Sequence, residues 1–164
     1  MDRAISNTSP LLYLHRIGGL LWLRELFAEI WVPQAVVDEL QEGARRGHDV
    51  PQTANLEWVK VVKPNFVPSE WLALDLGAGE LEAMALALEN PDRVVLLDDS
   101  LARRIGQAAG LRVWGTLKVL LEAKARKLTD SISPLLDGLE AAGMWISGDI
   151  RNRILTLAGE RSEQ

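Results

Sequence analysis

Val94-Val95-Leu96-Leu97 is wholly apolar, and this run constrains the fold more than any other part of the chain. A strand with no polar alternation is covered on both faces, as a central strand of a parallel sheet is. It is fed by a helix that starts near Gly77 and runs from Glu80 through Ala83-Met84-Ala85-Leu86-Ala87-Leu88 to Asn90-Pro91. The same alternation of strand and helix recurs along the chain. Ala4-Ile5-Ser6 reads as a short strand, with Thr8-Ser9-Pro10 as a cap and Leu11 to Ile17 as helix. A further helix follows from Leu20 to Phe27, then a strand at Ile30-Trp31-Val32 and a helix carrying Val36, Val37 and Leu40. Trp58 to Val62 reads as an edge strand, because Lys60 and Lys63 interrupt it. Leu101 to Ala109 is helical, Leu111 to Trp114 is a strand, and Thr116 caps a helix running to about Lys127. Ser133-Pro134 and Ser147 open two last helices. The expected architecture is a three-layer α/β/α sandwich with a mostly parallel central sheet. The 164 residues suit one domain, with a core over about 4–130 and C-terminal helices over 131–160.

Composition narrows the chemistry. With no cysteine and only His15 and His48, thiolate sites, disulfides and His-rich zinc sites are excluded. A metal centre in this chain must use oxygen ligands, which favour magnesium or manganese. A net charge of −5 fits an acidic protein that meets no polyanion, and equally an enzyme whose negative charge is concentrated in a metal site. No apolar run reaches 18 residues and Met1-Asp2-Arg3 does not open a signal peptide, so no membrane span is expected and a cytoplasmic location is the default.

In an open parallel sheet, ligands bind at the carboxyl ends of the strands. Asn7 follows the first strand, and Asp98 and Asp99 follow the most apolar one. Glu80 lies in the first turn of the alanine-rich helix, where the helix dipole favours a carboxylate. Glu39 flanks the Val36/Val37/Leu40 stripe. Two carboxylates about 5 Å apart repel by roughly 3 kcal/mol at an effective dielectric near 20. A divalent cation removes that repulsion. Taken singly, Asp98, Asp99 and Glu80 also read as helix caps or dipole partners, and spacing alone leaves both readings open.

Ile5-Ser6-Asn7-Thr8-Ser9-Pro10-Leu11 and Val32-Pro33-Gln34-Ala35-Val36-Val37-Asp38-Glu39-Leu40 resemble the opening of PIN-domain proteins. Gly77-Ala78-Gly79-Glu80-Leu81-Glu82-Ala83, Val95 to Arg103, and Gly110 to Leu117 with Ala123-Lys124 are similar to the PIN-like branch related to VapC-type toxins. The resemblance spans about 4–130 and rests on the ordered set. It implies a magnesium- or manganese-dependent ribonuclease, the toxin of a toxin–antitoxin pair, with RNA and a small antitoxin-like protein as partners. Its acidic cluster maps onto Asn7, Glu39, Glu80 and Asp98 or Asp99. The family has aspartate where this chain has Asn7, a neutral amide that weakens cation binding.

On that mapping, metal held by Glu39, Glu80 and Asp98 activates a water and neutralises the scissile phosphate. Thr8, Ser9 and Thr116 are candidate substrate contacts, as are Arg103 and Arg104, although hydroxyls there also cap helices and arginines on helices are also simply solvated. Lys118, Lys124, Arg126 and Lys127 form a second basic strip with the same two readings. Of the six tryptophans, Trp22, Trp31 and Trp114 read as core or interface, and Trp71 and Trp145 as candidates for exposure. Two other functions compete: a receiver-like phosphoacceptor, which lacks its acidic pair at Ser6-Asn7, and a PIN fold that only binds a partner, which Asn7 favours. Leu11-Leu12-Tyr13-Leu14 and Leu20-Leu21-Trp22-Leu23 carry more apolar surface than one helix face buries, which predicts a homodimer.

Overall fold

The computed structural model describes residues 1–161. Its elements are β1 (Ala4–Ser6), α1 (Thr8–Arg16), α2 (Trp22–Leu26), β2 (Ile30–Val32), α3 (Gln34–Arg45), β3 (Val59–Val61), α4 (Ala78–Glu89), β4 (Val94–Leu96), α5 (Ser100–Ala108), β5 (Arg112–Trp114), α6 (Thr116–Ala125), α7 (Ser133–Ala141) and α8 (Gly148–Leu157). All five strands are parallel, in the order β3-β2-β1-β4-β5. The strand broken by lysines does lie at an edge, and the apolar β4 lies inside the sheet next to central β1.

The alternation of strand side chains divides the core between two faces. Ala4, Ile30, Val32, Val94 and Leu96 point into one cluster with Leu11, Leu14, Leu23, Val36, Leu40, Leu120, Leu136 and Leu139. Ile5, Val95 and Leu97 point the other way, into Ala83, Met84, Leu86, Ala102 and Trp71. Both sides of β4 are therefore dry, which is why its sequence shows no alternation.

Local chemistry shifts several boundaries. The second helix begins at Trp22, not Leu20, because Gly19 to Leu21 form tight turns in which the Trp22 and Leu23 N–H groups donate to the carbonyls of Gly19 and Leu20. The Trp22 ring lies over Gly19, where a Cβ would stand 2.4 Å from it. Thr116 is the first residue of α6 and Gly115 is its cap. Trp145 is 84% exposed, whereas Trp71 is buried against the second cluster.

Part of the apolar surface assigned above to a second copy is covered within the chain. Leu11, Leu14 and Leu23 are fully buried beneath α6 and α7, and of the two quoted runs only Leu21 is exposed. The C-terminal helices supply part of the cover, while Leu12, Tyr13, Leu20 and Trp22 stay half-buried and Leu21 exposed.

Candidate active site at the strand ends

All five strands are parallel, so the chain crosses back over the sheet between them, and the N-termini of α1, α4, α5 and α6 gather near the carboxyl edge of β1 and β4. Backbone amides there lack intrahelical acceptors and attract oxygen. The acidic residues singled out above sit on these amides.

Asn7, the one neutral residue of the set, does not. Its N–H donates to the Leu96 carbonyl at 3.1 Å, which carries the residue from β1 alongside the end of β4. The side chain is 3% exposed, and its Oδ1 has no hydrogen-bond partner among the described residues. Glu39 reaches the same place from the second turn of α3. One of its oxygens accepts the Gly79 N–H at 2.9 Å, and the other accepts the Thr8 hydroxyl. Gly79 is glycine for want of space: a Cβ would stand 2.8 Å from Glu39 Oε2 and 2.9 Å from Asn7 Oδ1.

Glu80 lies one residue further along α4. Its carboxylate turns back to accept the Gly77 N–H at 2.8 Å, so the capping alternative describes a real contact. Burial pushes its carboxyl up, the Gly77 N–H opposes this, and the charges of Asp99, Glu39 and Asp75 push it up further. Glu80 thus shares its field with Glu39 on one side and Asp99 on the other.

The neighbours Asp98 and Asp99 part company. Asp99 is exposed and caps α5, accepting the Ala102 N–H at 2.9 Å. Asp98 turns towards α6 and accepts both the N–H and the hydroxyl of Thr116, each at 2.7 Å. Burial pushes the Asp98 carboxyl up, against the two Thr116 bonds and the charge of Arg103. Thr116, fully buried, is therefore spent on Asp98. Arg103 is half-buried, with Nη1 donating to the Leu97 carbonyl at 3.1 Å, while Arg104 is exposed. Ser9 stands half-buried in the first turn of α1. Lys118 and Lys124 of the second basic strip pair with Glu122 and Glu160.

The glycines of this site were not singled out as functional by sequence reasoning. Gly79 and Gly115 leave room for side chains against the backbone, Glu39 and Asn7 at the first and Arg103 and Asp98 at the second, where a Cβ would crowd them.

These residues suit a hard cation in kind, since every donor is an oxygen. The buried, unpartnered Asn7 Oδ1 beside the Glu39 carboxylate is the kind of vacancy in hydrogen bonding that a cation or its water satisfies. Among the described residues no three acidic or histidine side chains stand close enough together to cage a metal. Magnesium tolerates that arrangement, because it keeps several waters and takes one or two carboxylates.

No curated protein matches the chain in sequence. Among solved structures it is similar to a PilT N-terminus domain protein from the hyperthermophilic archaeon Sulfolobus solfataricus P2. The two are 16% identical, the match covers 73% of this chain and 92% of the other, and the TM-score is 0.56. That likeness concerns the fold. A family model, DUF3368, described as a PIN domain, matches residues 3–160. With nearly the whole length matched and a five-stranded parallel sheet under helices on both faces, this chain belongs to the PIN-domain family.

Proposed function

We propose that this chain is a magnesium- or manganese-dependent endoribonuclease, the toxin of a toxin–antitoxin pair, acting on RNA in the cytoplasm and restrained by a small antitoxin-like protein. The observation that carries the reading is the unpartnered Asn7 Oδ1, buried against Glu39 at the carboxyl edge of the sheet. Asn7, Glu39, Glu80 and Asp98 or Asp99 are the residues proposed to hold the metal, one or two of the carboxylates directly and the others through its waters. When bound, the metal lowers the pKa of a coordinated water and neutralises charge on the scissile phosphate.

The protein's own groups prepare the site. Gly79 N–H and the Thr8 hydroxyl fix the Glu39 carboxylate from two sides. The two Thr116 bonds fix Asp98. Ser9 and Arg104 remain the candidates for contacts to the substrate's phosphates, and Thr8 could serve only by leaving Glu39. Thermal unfolding with and without magnesium or manganese, beside cleavage of a mixed single-stranded RNA, tests the reading. A metal-dependent rise in Tm and cleavage that stops in Glu80→Gln support it; absence of both in wild type and in Asn7→Asp overturns it.

A second reading has one observation in its favour. Asn7 brings no charge to the centre, so the fold would serve as a binding or regulatory module with weakened chemistry. Under that reading wild type shows neither metal shift nor cleavage, and Asn7→Asp restores both.

A further inference from the structure

We propose that Arg103 is a positioning residue that holds Asp98 in place, and is not a ligand for RNA phosphate. The inference rests on the metal-centre reading above. Arg103 Nη1 is turned inward onto the carbonyl of Leu97, the residue just before Asp98, at 3.1 Å. The guanidinium and the Asp98 carboxylate both lie against Gly115. A Cβ on Gly115 would stand 2.7 Å from Arg103 Nη1 and 3.3 Å from Asp98 Oδ1. Gly115 has φ −104° and ψ 177°, a conformation open to any residue, so its lack of a side chain makes room for this pair and relieves no backbone strain. Thr116 grips Asp98 from the other side through its N–H and hydroxyl. The Leu97 N–H is fastened in turn to the Trp114 carbonyl at 2.8 Å.

Arg103 therefore ties the first turns of α5 to the end of β4 through the Leu97 carbonyl, while Thr116 ties Asp98 to the start of α6, and the two sets of contacts meet over Gly115. The positive charge of Arg103 also favours ionised Asp98 in a site where burial disfavours it. A phosphate ligand needs its fork facing solvent, as the exposed Arg104 does.

Two measurements on metal-free protein separate the roles: Mn2+ affinity by titration calorimetry without RNA, and the salt dependence of binding to a mixed single-stranded RNA. Loss of a residue that supports a metal ligand costs about 10–100-fold in metal affinity. Arg103→Gln is expected to lose affinity in that range with the RNA salt slope unchanged, and Arg103→Lys to lose less. Gly115→Ala, which displaces the guanidinium without removing it, is expected to weaken Mn2+ as well, and is read with Arg103→Lys should Arg103→Gln fail to fold. Unchanged Mn2+ affinity with a salt slope lowered by about 0.7, the signature of one lost phosphate contact on a single strand, overturns the proposal. Should wild type bind no Mn2+, the metal-centre reading fails, and Tm shifts of Asp98→Asn, Arg103→Gln and the double variant decide the matter. Non-additive shifts uphold the positioning role; additive shifts overturn it.

Discussion

Glu160, just beyond α8, offers a stability experiment whose sign and size follow from the structure. Its side chain is 15% exposed, with one oxygen near Lys124 Nζ at 2.8 Å and the Ile132 N–H at 2.9 Å. The other oxygen accepts from the Ser131 hydroxyl at 2.7 Å and the Ser133 N–H at 3.1 Å. Burial opposes ionisation, but these four donors together hold the carboxyl at about 2, against an ordinary 4.5. A drop of that size is worth up to about 3 kcal/mol of folding stability at neutral pH. Because the folded value is depressed, the contribution is complete above the unfolded value, near pH 4.5, and fades as pH falls through about 2. Glu160→Gln keeps one acceptor oxygen, so a loss of about 2 kcal/mol is expected at pH 7. Chemical denaturation of both proteins from pH 7 to 2 reads the difference, which isolates Glu160 from all other carboxylates. The gap should narrow below pH 4.5. A gap that stays constant down to pH 2, or one below about 0.5 kcal/mol at pH 7, refutes the reasoning.

Other outcomes follow from the site. Asn7→Asp puts a second carboxylate beside Glu39, so the metal-free protein should lose stability while its Mg2+- or Mn2+-dependent rise in Tm grows. Gly79→Ala drives a Cβ to 2.8 Å from Glu39 and should cost about 1–3 kcal/mol in denaturant melts and abolish the metal-dependent shift. Glu80→Gln should leave metal-free stability unchanged or slightly higher, since it removes a carboxylate that burial and three acidic neighbours disfavour and leaves an oxygen for the Gly77 N–H. Asp98→Asn differs, because it forfeits one of two Thr116 bonds and should cost about 1 kcal/mol even without metal.

That last contrast marks the limit of what the sequence discloses. The ends of β1 and β4, and hence Asn7 and the Asp98-Asp99 corner, were legible because strand periodicity and the apolar run are local signals. The meeting of Asn7 with Glu39 followed from parallel strand order. Which acid of the Asp98-Asp99 pair turns inward was not legible, since it depends on Thr116, 18 positions away. Nor was the seat of Glu39, whose partner Gly79 lies 40 positions away. Carboxylate repulsion taken alone would make Asp98→Asn free of cost, and the Thr116 bonds reverse that sign. The cover over the N-terminal helices was misjudged for the same reason: Leu136 and Leu139 lie more than 110 residues beyond Leu23 and look like an independent tail.

The place of β1 in the sheet order bears on how the molecule is made. Within this domain β1 precedes the other strands along the chain and is the central one, flanked by β2 on one side and β4 on the other. Its first neighbour follows within some 30 residues, but its second edge stays unpaired until Val94 to Leu96 have left the ribosome. Through that interval an apolar edge is open to unwanted pairing, a hazard a holding chaperone would relieve. Asn7 waits in an unfinished cleft until Asp98, and then Thr116, arrive to complete it.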